Sequence, residues 1–199
     1  MPDASQAEPL WSVFLGASLV NNFVLAYFLG ICPFLGVSAS LQTAHRMGVA
    51  VALVMSVATV CGFAIQRLLE WLDAPYLTLI SLIAVIATTV QLIEIFIKKT
   101  SPALFRALGI YLPLMTTNCA ILGVVLFQAN RGYGFLQAIF YSGGAGFGFW
   151  LALVLMAGLR EKSEMLDPPD VVRGTAMTLV LAGILSLCFM GFSGIGAAP

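Results

Sequence analysis

Six apolar runs, each long enough to cross a bilayer as a helix, constrain this chain more than any other feature of its sequence. They cover residues 10–37, 47–65, 76–97, 107–127, 132–159 and 174–198. A helix rises about 1.5 Å per residue, so roughly 20 residues cross a hydrocarbon core of about 30 Å. The runs are continuously apolar and do not alternate, which predicts helices rather than a closed barrel. Composition agrees, because 60% of the residues are hydrophobic and 9% are charged. A soluble domain carries about 25% charged residues. The chain therefore reads as an all-α membrane protein, a single integral membrane domain over residues 1–199. Nine basic and nine acidic residues cancel, and no basic patch suggests nucleic acid. With His45 as its one histidine, the chain is a poor candidate for a histidine metal site or a Ser–His triad. Residues 1–9 contain Asp3 and Glu8 and no Lys or Arg. They do not read as a cleavable signal, and the first apolar run is expected to be retained.

Basic residues set the orientation. Arg46 follows the first run, Lys98, Lys99 and Arg106 follow the third, and Arg160, Lys162 and Arg173 follow the fifth. These seven of the nine mark the cytoplasmic face, and only Arg67 and Arg131 lie opposite. Both termini then face outward.

The first and fourth runs share a motif. Cys32-Pro33-Phe34-Leu35-Gly36-Val37 is matched by Cys119-Ala120-Ile121-Leu122-Gly123-Val124. An even split makes three helices plus three, with repeat halves at about residues 10–98 and 104–198. Three is odd, so the second half enters from the other side. The expectation is a 3+3 inverted-topology repeat with broken first and fourth helices and a working site near the midplane.

Both copies carry helix-breaking residues. Gly30, Pro33 and Gly36 surround Cys32; Pro113 and Thr116-Thr117-Asn118 precede Cys119. Proline removes a helical donor and its ring clashes with the preceding turn. Backbone N–H groups freed at membrane depth need an acceptor, and a negatively charged cofactor held by thiolates is one. A packing role fits Cys61 and Cys188, which have no repeat partner. Cys32 and Cys119 fit either packing or ligation. An iron–sulfur cluster takes four cysteines as a rule, so this pair amounts to half a site. Asn21 and Asn22 suit hydrogen bonds between helices. Glu94, one turn before Lys98, suits a partner at a helix end. Gly143, Gly144, Gly146 and Gly148 suit close helix packing, and Pro168-Pro169 a turn.

Several stretches carry a family resemblance. Asn21-Asn22-Phe23-Val24-Leu25 and Phe28-Leu29-Gly30-Ile31-Cys32-Pro33-Phe34-Leu35-Gly36-Val37-Ser38 resemble the A-type membrane component of the Rnf ion-translocating electron-transport complex. So do Lys99-Thr100-Ser101-Pro102, Leu108-Gly109-Ile110-Tyr111-Leu112-Pro113-Leu114, Thr116-Thr117-Asn118-Cys119-Ala120 and Phe189-Met190-Gly191-Phe192-Ser193-Gly194. A sister family, the E-type component of the sodium-translocating NADH:quinone reductase, has a similar pattern. Asn21-Asn22, Cys32-Pro33 and the double Thr before Asn118 look more like the Rnf version.

The resemblance implies a bacterial inner-membrane component of a six-subunit ferredoxin:NAD⁺ oxidoreductase that moves Na⁺ or H⁺. It implies an intramembrane [2Fe–2S] cluster shared with a homologous membrane component, the E-type one of the Rnf complex. Cys32 and Cys119 fall on the family's cysteine positions, and Cys61 and Cys188 do not. Backbone amides near Gly30, Gly36 and Asn118 are expected to support the cluster sulfurs. No catalytic residue is expected in this chain. The NAD and ferredoxin sites belong to other subunits, since no Gly-rich dinucleotide fingerprint follows a strand. Two rivals stand beside this reading: a secondary transporter or channel for a small solute, and a purely structural scaffold.

Reporter fusions test the orientation. Fusions at Thr43, Ser101 and Glu164 are expected to read cytoplasmic, and terminal fusions external. A cytoplasmic C-terminus would overturn the topology.

Overall fold

The first apolar run is long enough for one helix, yet it folds as three short ones. The computed structural model describes residues 9–72, 75–100, 118–165 and 174–192. Helix α1 (Leu10–Val20) finishes in a π-helical turn over Gly16–Val20. The backbone extends at Asn22 and re-enters a helix in α2 (Phe23–Tyr27). Phe28 and Gly30 take left-handed φ angles of 55° and 80°, and α3 (Ile31–Val37) follows.

The first helix is thus broken as expected, at Gly30 of the three residues expected to interrupt it and not at Pro33 or Gly36. That proline is the third residue of α3, in a first turn whose N–H groups have no intrahelical acceptor, so its ring costs little. Asn22 and Gly30 make the breaks. Asn22 Oδ1 accepts hydrogen bonds from the N–H groups of Val24 and Leu25 at 3.1 and 3.4 Å, which caps α2. Gly30 supplies the left-handed residue ahead of α3 at no steric cost.

Longer helices complete the fold. Ser40 Oγ accepts from the Thr43 N–H at 3.3 Å and starts α4 (Leu41–Trp71). A 3₁₀ turn (Pro75–Leu77) leads into α5 (Thr78–Thr100). Asn118 caps the start of α6 (Cys119–Arg131), and Gly132 ends it at φ 62°. Then come α7 (Phe135–Met165) and α8 (Thr175–Met190). No strand occurs among the described residues.

Of the described helices, α4, α5 and α7 hold stretches long and apolar enough to cross a membrane, namely Leu41–Trp71, Thr78–Phe96 and Phe135–Ser163. The 31 residues of α4 reach about 46 Å, beyond a hydrocarbon core of about 30 Å. Helices α1, α6 and α8 are apolar but shorter. The expected runs 107–127 and 174–198 extend beyond the described residues, as do Pro113, Thr116, Thr117 and Pro168-Pro169.

Helix α7 is the hub, packed along α4 and against α1, with further contacts to α2, α6 and α8. Its glycines make the approach possible. A Cβ at Gly144 would lie 2.5 Å from the Phe14 carbonyl oxygen, and one at Gly148 would lie 2.6 Å from that of Ser18. A Cβ at Gly146 would lie 2.9 Å from the Ala52 backbone of α4. Gly143 meets only ordinary contact. Lipid provides no hydrophobic drive between helices, so close backbone approach is what joins them. His45 serves the same interface: its Nδ1 accepts from Trp150 Nε1 at 3.0 Å.

Asn22 ties the broken helix to this hub. Its Nδ2 donates to the Gly148 carbonyl at 2.8 Å and to that of Ser18 at 3.2 Å. Asn21, expected to share this role, has no such bond among the described residues. Asn22→Ala would orphan buried groups at about 1–3 kcal/mol each, while Asn21→Ala should fall within about 0.5 kcal/mol of neutral. Thermal midpoints of the purified assembly check this; equal losses would refute the assignment.

Candidate functional site

Both motif cysteines stand at the start of a helix. Cys32 is the second residue of α3 and Cys119 the first of α6. These two starts, far apart in sequence, meet. The backbone N–H of Gly30 donates to Cys119 Sγ at 2.9 Å. Gly30 has no room for a side chain: a Cβ there would lie 2.7 Å from Phe149 Cε2 and 3.1 Å from both Asn118 Oδ1 and Ala120 Cβ. The glycine thus serves both its left-handed φ and the approach of two chain segments.

Asn118 is buried beside this contact. Its Oδ1 accepts from the Ala120 N–H at 3.0 Å, while its Nδ2 has no hydrogen-bond partner among the described residues. Cys32 and Cys119 are exposed, turned out from the core rather than packed within it. Gly36 lies inside α3, where the helical ladder takes up its N–H. The structure therefore brings together Gly30, Asn118 and Cys119, with Cys32 two residues beyond Gly30, and leaves Gly36 within the helix. Cys61 is half-buried inside α4, and Cys188 is exposed near the end of α8.

Side chains from α7 and α8 hold the broken ends. Ser186 Oγ donates to the Leu25 carbonyl at 2.7 Å, filling a place that the end of α2 leaves open. Arg160 Nη1 donates to the Leu35 carbonyl and to Ser38 Oγ, each at 3.1 Å. A cation at that C-terminus also suits the helix dipole. The sequence pattern does not reveal either residue in this role. Arg160 counts there only toward the charge bias, and nothing marks Ser186 as an acceptor's partner.

No group of three or more His, Cys, Asp or Glu converges among the described residues. The donor set here is the Cys119 thiol, which accepts from a backbone N–H, and the exposed Cys32 thiol at the neighbouring helix start. That set fits half of a four-thiolate cluster and not a whole one. The thiols' exposure suits completion by another protein surface.

Residues 10–196 match the Rnf-Nqr family, described as "Rnf-Nqr subunit, membrane protein". The A component of the ion-translocating oxidoreductase complex of Salmonella arizonae is 52% identical over 184 residues, covering 92% of this chain and 95% of that protein. Proteins of the same name from Citrobacter koseri and Syntrophotalea carbinolica are 51% and 50% identical, with the same coverage.

The meeting of the two helix starts has a direct test. Gly30→Ala adds a left-handed residue at about 1–2 kcal/mol and overpacking of about 1–3 kcal/mol. The expected outcome is a lower thermal midpoint and less assembled chain than for Gly132→Ala, where a Cβ meets nothing within 4 Å. Equal behaviour would show that the Gly30 contact is unimportant.

Proposed function

We propose, from the premise that this chain belongs to the Rnf-Nqr family of membrane subunits, that it acts as the A-type component of an ion-translocating oxidoreductase complex and carries electrons through the membrane. The motif resemblance to the Rnf version agrees with the relatives' names. In this reading Cys32 and Cys119 are thiolate ligands to the iron of a [2Fe–2S] cluster. A homologous membrane protein, the E-type component of a six-subunit complex, contributes the other two ligands. The single observation that carries the reading is the Gly30 N–H donating to Cys119 Sγ at 2.9 Å.

When bound, such a cluster supplies a one-electron carrier at membrane depth. The chain's own residues do the rest. Gly30 donates to a sulfur whose negative charge grows on reduction, which raises the reduction potential. The starts of α3 and α6 put partial positive charge near the two thiolates. Asn118 and Phe149 hold the segments in register around Gly30. Arg160 and Ser186 keep the ends of α3 and α2 from fraying into lipid. Electron flow is coupled to Na⁺ or H⁺ movement in the assembled complex. NAD and ferredoxin react on other subunits. The complex lies in the bacterial inner membrane, with both termini of this chain on the periplasmic side.

Four cysteine variants test the reading. Cys32→Ser and Cys119→Ser should each remove or badly weaken the [2Fe–2S] paramagnetic resonance signal of the purified complex. Serine keeps size and polarity but loses the soft thiolate that iron favours. Cys61→Ser and Cys188→Ser should leave the signal nearly intact. The protein content of the complex on a native gel controls for assembly. If the first two variants assemble and keep both iron and signal, the ligand assignment is wrong. A colourless, iron-free wild-type complex would favour a solute transporter instead.

A further inference from the structure

A groove of about 530 Å³ runs between α4 and α5, away from the cysteine pair. It is lined by His45, Arg46, Val49, Leu53, Val57, Ile93 and Phe96, with Ala50 and Val54 at its floor. Apart from the first two, every lining residue is apolar, and none is acidic. We propose that this groove binds one anionic glycerophospholipid, with the phosphate at Arg46 and His45 and an acyl chain along Val49, Leu53 and Val57.

The dimensions fit. The α4 residues recur at helical spacing and so form one face. From Arg46 to Val57 the helix rises about 16 Å. Half of a hydrocarbon core is about 15 Å. The groove thus starts at a charged residue and ends near the bilayer midplane, the depth of one chain in one leaflet. Its volume lies within the range of about 300–1,000 Å³ usual for ligand pockets.

The charges fit as well. Arg46 is exposed and has no ion-pair or hydrogen-bond partner among the described residues. A guanidinium pairs with phosphate through a planar fork. At a membrane boundary it gains from a phosphate what it would lose against hydrocarbon. Trp150 Nε1 donates to His45 Nδ1, so a neutral His45 carries its proton on Nε2 and keeps a donor. Lys98 and Lys99 close the last turn of α5 just beyond Phe96, and with Glu94 one turn before Lys98 offsetting one of them they leave net positive charge at the same end. The acidic Glu161 lines a different cleft, together with Ser40, Gln42 and His45, which the two share. Arg46 and His45 therefore meet an anionic headgroup without a competing carboxylate in the groove.

The experiment uses the assembled complex in nanodiscs of mixed phosphatidylethanolamine and phosphatidylglycerol. Trace phosphatidylglycerol or phosphatidylethanolamine carries a photoactivatable diazirine midway along one acyl chain. After irradiation, labelled peptides are mapped by mass spectrometry. The expected result is labelling of residues 49–57 and 93–96, several-fold stronger with phosphatidylglycerol and reduced by unlabelled phosphatidylglycerol in competition. Arg46→Gln should bring it down to the phosphatidylethanolamine level, and Arg46→Lys should keep most of it. Leu53→Trp, which fills the groove, should suppress labelling by both lipids. Equal labelling by both probes with no response to Arg46→Gln would mean ordinary surrounding lipid and overturn the proposal. Crosslinking of benzoylphenylalanine at position 53 to a neighbouring protein of the complex, with no lipid labelling, would overturn it in favour of a partner helix. Should Arg46→Gln not assemble, lipid selectivity and competition in the wild-type complex decide alone.

Discussion

Backbone groups without water are the constraint on which this structure turns. A helix broken inside lipid frees N–H and C=O groups that solvent cannot reach, and each costs several kcal/mol if left alone. The first apolar run breaks twice, and the freed groups find specific partners. Asn22 takes the N–H groups of Val24 and Leu25. The Leu29 N–H returns to the Phe23 carbonyl at 3.0 Å, and Ser186 covers the Leu25 carbonyl. Arg160 closes α3. The Gly30 N–H goes to a thiol sulfur. That last partner differs in kind from the others, because sulfur is a weak acceptor as a thiol and a much better one as a thiolate. Among these freed donors, the Gly30 N–H is the one whose partner is sulfur rather than oxygen.

Holding such a break requires a rigid neighbour, and α7 is that neighbour. Gly144 and Gly148 admit the backbone of α1, while Gly146 admits α4. The Gly148 position also brings its carbonyl within 2.8 Å of Asn22 Nδ2. Close packing and polar satisfaction are therefore one arrangement: a side chain at Gly148 would push away the helix whose asparagine needs the carbonyl. Farther along, Arg160 of the same helix reaches the end of α3. A single helix thus fixes both sides of the segment that carries Cys32.

The outward-facing surface has a different logic. Large apolar side chains such as Leu53, Ile80, Leu92, Phe96 and Leu187 are exposed, which suits lipid or neighbouring proteins of a complex and would not suit water. Cys32 and Cys119 share that exposure. Two thiols at paired helix starts, facing out of the chain, suit a centre completed by a second protein.

Helical class, membrane residence and the family were all legible in the sequence, because each depends on local sums or short motifs. Hydropathy over about 20 residues needs no knowledge of neighbours, and the repeated C-x-x-L-G-V pattern singles out Cys32 and Cys119 from Cys61 and Cys188. The sequence also marked the first run as breakable at Gly30, Pro33 and Gly36, and of these three the left-handed Gly30 breaks it. A proline in a first helical turn forfeits no bond, and the other break lies at Asn22, where a side-chain cap decides it. Only the tertiary structure decided which groups meet: Gly30 with Cys119, 89 residues apart, and Arg160 with Leu35, 125 apart. The periodicity of a helix says which face is apolar. It does not say which helix lies against that face or at what height, and a hydrogen bond of about 3 Å depends on both.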